Sequence, residues 1–84
     1  MGNFAGQEAL TIVGKVNRIV TDLALDQNAP ARRERAMAAL ECAQIAAKSA
    51  QDAKEKSPTP ATVLHAKLAQ DLLEQVEDTM ARHF

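Results

Sequence analysis

Arg32, Arg33 and Arg35 follow Pro30 and form the densest group of chemically distinctive side chains in the sequence. Guanidinium groups grip phosphates and carboxylates through paired hydrogen bonds. A helix starting here would add free backbone N–H groups to the same spot. The cluster is therefore a candidate contact for an anion or for carboxylates on a partner. The plainer reading is a solvated helix start. A helix N-terminus carries partial positive charge, so three arginines sit uneasily there. Glu34 and acids at the end of the preceding segment ease the repulsion. No aromatic residues are interleaved with the arginines, and the chain's net charge is -1. Nucleic acid is therefore not an expected partner.

His65 and His83 are 18 residues apart. On one helix they lie along the same line but about 27 Å from each other. One chain cannot bring both to one metal ion, and neither has a Cys or second His at the spacing a zinc site needs. His65 falls near the middle of an apolar stripe. It reads as a hydrogen-bonded histidine near one end of a bundle, or as a residue just beyond the core. His83 lies where a basic group suits a negative helix end. Cys42 is the single cysteine, so no disulfide can form within the chain. It falls on an apolar stripe, which predicts a buried, inert thiol with no base beside it. Asp71, Glu74, Glu77 and Asp78 read as a solvated face, not as paired catalytic carboxylates in a water-excluding pocket. The sequence has no phosphate-binding glycine loop, nucleophile elbow or calcium loop. No catalytic, metal-binding or cofactor-binding residues are assigned, and an enzyme is not expected.

The elements that carry these residues are long helices. Ala36, Ala39, Ala43, Ala46, Ala50 and Ala53 are spaced 3, 4, 3, 4, 3. Such spacing aligns them on one side of an α-helix. A methyl-only stripe lets a neighbouring helix approach closely, so it is the predicted packing seam. Prolines occur only at 30, 58 and 60, and each disfavours helix in the residue before it. Three helices are predicted, over about residues 4–26, 30–56 and 60–83.

In the first helix Asn3 is the expected cap. Ala5, Ala9, Ile12, Val16, Ile19 and Leu23 form the expected apolar stripe, widened by Val13, Val20 and Ala24. Glu8, Lys15, Arg18 and Asp22 fall opposite. Gly6 and Gly14 each weaken the helix by about 1 kcal/mol relative to alanine. Gly14 reads either as room for a close neighbour or as a tolerated surface residue. Asn28 is the expected left-handed terminator, and Pro30 the expected first residue of the second helix.

That helix carries a second stripe, Ala38, Cys42, Ile45 and Ser49. A helix wedged between two others in one chain would look like this. So would one that packs within its chain on one side and on another subunit on the other. Ser57 or Thr59 is the expected cap of the third helix. Leu64, Leu68, Ala69, Leu72, Leu73, Val76 and Met80 are its expected apolar face, with Thr62, Gln75 and Thr79 at the edges.

Equal helices joined by short loops favour an antiparallel, up-down-up, all-α three-helix bundle, with residues 1–84 as one domain. Trp and Tyr are absent, so the core is aliphatic. No apolar run is long enough to span a bilayer. The N-terminus does not read as a secretory signal. Gly2 begins a poor N-myristoylation match, because Gly6 stands where Ser or Thr is usual. A lone thiol suits a reducing, cytoplasmic setting. A chain of 84 residues buries a modest core and often gains stability by oligomerising. The expected function is a small protein-interaction module, an adaptor, inhibitor or regulator, that self-associates, most simply as a homodimer. Arg32, Arg33, Arg35, Met37, Leu40 and Ile45 are its candidate partner contacts. The alternative is an anion- or nucleic-acid-binding regulator using the arginine cluster.

Overall fold

A computed structural model describes residues 3–84, with side chains from Gly6 onward. The expected Asn3 cap, the place of Ala5 in the stripe and the Gly2 motif lie outside the described side chains. Three helices run in order: α1 (Asn3–Leu25), α2 (Arg32–Lys56) and α3 (Pro60–His83). All three pack against one another as an all-α bundle. The bundle is elongated, with extents of 43 × 19 × 13 Å.

The alanine stripe faces the interior. Ala36, Ala43, Ala46 and Ala50 are buried, as is Ala47, while Ala39 and Ala53 are half-buried. Small side chains on α2 select small or slender ones opposite. The core is completed by Ala9, Val13, Val16 and Val20 from α1, and by Ala66, Ala69, Leu73 and Val76 from α3. This rotates both neighbours relative to the sequence expectation. On α1 the centre of the buried face is Val13 and Val20; Ile12 and Ile19 are roughly half exposed on its flank. On α3, Leu64 and Leu68 are exposed and Ala66 is buried in their place. Alanine and valine fill most of the close approach beside the seam, while Leu23 and Leu73 are the leucines that still turn inward. Thr62, expected at the edge, is buried.

Thr62 is buried because it completes a reciprocal cap. The Thr59 hydroxyl accepts from the Thr62 N–H at 3.1 Å, and the Thr62 hydroxyl oxygen accepts from the Thr59 N–H at 2.8 Å. Its own proton reaches the Ser57 carbonyl at 2.7 Å. Pro60 follows at the first helical position, where the missing N–H costs nothing.

The α1–α2 loop departs from expectation. Helix α2 starts at Arg32, not at Pro30, and the residue with positive φ is Ala31 (φ 50°, ψ 38°), not Asn28. A non-glycine residue pays about 1–2 kcal/mol for that backbone. Asn28 instead donates its N–H to the Asp26 side chain at 3.1 Å, and Ala29 donates to the Asp26 carbonyl at 3.2 Å, closing a turn. The reason lies at the α1 C-terminus. Its last carbonyls are satisfied by the Arg32 guanidinium, so no left-handed backbone cap is needed there. The turn at Ala31 brings Arg32 to that position.

Candidate functional site

The arginine cluster is divided by the fold. Arg32 donates Nε–H to the Leu23 carbonyl at 2.7 Å, and an Nη2 donor reaches the carbonyls of Ala24 at 3.3 Å and His83 at 3.2 Å. Its guanidinium also lies over the Phe84 ring, 4.2 Å from the centroid. One side chain thus ties the C-terminal ends of α1 and α3 to the start of α2. The antiparallel arrangement places two negative helix ends beside the positive one, so a cation here is electrostatically favoured. Considered alone, the start of α2 gave the opposite sign. Arg35 donates to the Pro30 carbonyl at 3.4 Å, and Arg33 is exposed. The three do not converge on a common point.

His65 is half-buried near the N-terminal ends of α1 and α3. Its Nδ1 is buried and has no hydrogen-bond partner among the described residues. Gly6 makes room for the ring: a Cβ there would stand 3.2 Å from Nδ1 and 3.4 Å from the His65 Cβ. Nothing lies within 4 Å of the corresponding position at Gly14, which belongs to the surface. His83 is exposed and contributes its carbonyl, not its ring, to the Arg32 contact. The acids of α3 are exposed. Asp71 and Asp78 pair with Lys67 at 3.5 Å and Arg82 at 3.1 Å across single helix turns, contacts worth little in water. Among the described residues, no three His, Cys, Asp or Glu side chains could hold a metal ion. None of the described helices is long and apolar enough to cross a membrane.

Cys42 is exposed, contrary to the expected burial. So is the whole of its stripe, Ala38, Ile45 and Ser49 included. The stripe is not wedged between two helices of its own chain. Its Cys42, Ile45 and Ser49 line one wall of a shallow groove of about 380 Å³ between α1 and α2, with Glu8, Ala9 and Ile12 forming the other wall. Ile12 is 44 %, Ile19 47 % and Ile45 64 % exposed along this side. Of the other candidate contacts, Met37 is 53 % exposed and Leu40 packs partly against the core. Further round the bundle, Val63, Leu64 and Leu68 of α3 are also exposed.

Ile12 and Ile19 are the surface residues missed in sequence. A signal for them was present: they flank the line of Val13, Val16 and Val20, and an alanine seam fits valine better than isoleucine. Comparison with protein families, with curated proteins and with solved structures finds no match to this chain.

Proposed function

We propose that this protein is a small helical protein-interaction module that self-associates and, as an adaptor, inhibitor or regulator, binds a protein partner. The observation that carries this reading is the exposed apolar side of α1 and α2, where Ile12 and Ile45 line the groove and Ile19 is exposed further along α1. Large apolar side chains grouped on one side of a small chain mark contact surfaces more often than scattered single ones do. The core supplies a second reason. Its largest fully buried apolar side chains are valines, so each helix buries little area, and covering the isoleucines would add what the interior lacks. The reading contains no catalytic step. The anion-binding alternative ranks below it, because Arg32 is committed to carbonyl groups of its own chain and Arg35 turns toward Pro30.

The test is the solution mass of the full chain at tens of micromolar, by light scattering or sedimentation. A mass above one chain is expected. A strictly monomeric protein across that range refutes self-association. Replacing Arg32, Arg33 and Arg35 together by Ala tests the alternative. A salt-dependent loss of affinity for nucleotides or nucleic acid in that variant would reverse the ranking.

A further inference from the structure

The exposed isoleucines of α1 have a charged border. Ile12 and Ile19 are seven residues apart, and Glu8, Lys15 and Asp22 stand beside them at the same seven-residue spacing. Seven residues fall about 20° short of two full turns, so the three charges follow nearly one line, about 10 Å apart. All three are exposed, and among the described residues the ion pairs involve only Lys67, Asp71, Asp78 and Arg82. Glu8 lines the groove with Ile12 and Ile45. Asp22 shares a depression with Ile19, Asp26 and Arg35, where the acids outnumber the base. The α2 side of the face differs: Ala38, Cys42, Ile45 and Ser49 carry no charge. The face is thus an apolar strip with an acidic, basic, acidic border along its α1 edge.

That border opposes a second copy. The two-fold that lays α1 on α1 of a copy sets Glu8 against Asp22 and Lys15 against Lys15, like charges throughout. A two-fold parallel to the helices lays Glu8 and Lys15 over the uncharged level of Ser49 and Cys42. An extended segment on the strip would press unpaired backbone groups onto apolar side chains, whereas a helix satisfies its own. We propose that the α1/α2 face receives one amphipathic helix of a partner protein. Its apolar side covers Ile12, Ile19 and Ile45, and its edge carries basic, acidic and basic side chains at seven-residue spacing. The buried apolar side chains supply most of the affinity, while the flanking charges choose partner and register. Glu8 to Asp22 spans about 21 Å, so the partner segment needs about four turns. The proposal rests on the partner-binding half of the reading above. Self-association then uses another surface, such as the exposed Val63, Leu64 and Leu68 of α3.

The test uses the full chain and synthetic helical peptides of about five turns that share one leucine face. Their edges carry Lys, Glu, Lys or the reverse, Glu, Lys, Glu, at seven-residue spacing. By calorimetry at low salt the first should bind several-fold more tightly, and the gap should close at high salt. A Lys, Lys, Glu edge has the same net charge as the first and should bind less tightly than it. Glu8→Lys, Lys15→Glu and Asp22→Lys combined should invert the preference between the first two. Ile45→Glu should weaken the first peptide roughly tenfold or more by placing a charge on the apolar strip, and Leu64→Glu on α3 should not. Circular dichroism melting checks that each variant stays folded. Peptides that bind equally, or a preference that the triple variant does not invert, overturn the charged edge. Binding that resists Ile45→Glu overturns the face, and no binding of any peptide overturns the proposal whole. A dimer of the chain that Ile45→Glu dissociates makes a second copy the occupant; it overturns this inference and upholds self-association. A strictly monomeric chain that takes up the first peptide refutes self-association alone.

Discussion

Replacing Arg32 by Ala removes the contact that ties three helix ends together, and its cost can be worked from the geometry. Three hydrogen bonds are lost, at 2.7, 3.3 and 3.2 Å to the carbonyls of Leu23, Ala24 and His83. The first is short and part-buried. The second is longer, and the third is exposed, so only the first approaches the roughly 1.5 kcal/mol of a good bond to a charged donor. The other two add a few tenths each. The stacking on Phe84 at 4.2 Å adds about 0.5–1 kcal/mol at a partly exposed site. The expected loss is about 2.5 kcal/mol. For a domain of this size that lowers Tm by about 10–20 °C. Thermal denaturation followed by far-UV circular dichroism measures this directly. Arg32→Lys keeps the charge near the two helix C-termini, but an ammonium cannot reproduce the planar fork or stack in the same way. It should recover less than half of the loss. Arg33→Ala, on an exposed side chain, should change stability by less than about 0.5 kcal/mol. If Arg32→Ala melts within 2 °C of the parent, roughly the shift of a neutral surface change, the guanidinium is not a structural tie and the arginine cluster is again free for a ligand.

Two further outcomes follow from the seam and the glycines. Ala43→Leu puts a branched side chain into a fully buried site on α2 and should cost about 1–3 kcal/mol by overpacking. Ala38→Leu, on the exposed stripe, should be close to neutral in the monomer because Leu and Ala have similar helix propensity; equal urea midpoints for the two variants would contradict the close-packed seam. Gly14→Ala meets open space and should stabilise by about 0.5–1 kcal/mol. Gly6→Ala should gain less or lose, because its Cβ would stand 3.2 Å from the His65 Nδ1. Equal gains at both positions, read as Tm shifts, would refute the Gly6–His65 contact.

The sequence by itself determined the helices, their order and the side of α2 that turns inward. Proline positions, the Thr59 cap signal and the 3, 4 spacing of alanines are local properties, and local backbone physics acts on them regardless of what packs nearby. It also showed that the alanine stripe would choose close neighbours. It did not show what those neighbours must be. Whether Ile12 or Val13 leads on α1, and Leu64 or Ala66 on α3, depends on the width left beside the seam, which exists only once the helices meet. The sequence placed the second stripe of α2 on a face of its own but left open whether this chain covers it; the fold leaves Cys42 and Ile45 exposed. The sign of the environment around Arg32 was likewise invisible, because it comes from the carbonyl ends of α1 and α3, far away along the chain and adjacent only in the bundle. Composition and periodicity act on each helix alone, whereas burial, helix-end electrostatics and the unclaimed apolar face arise from their juxtaposition.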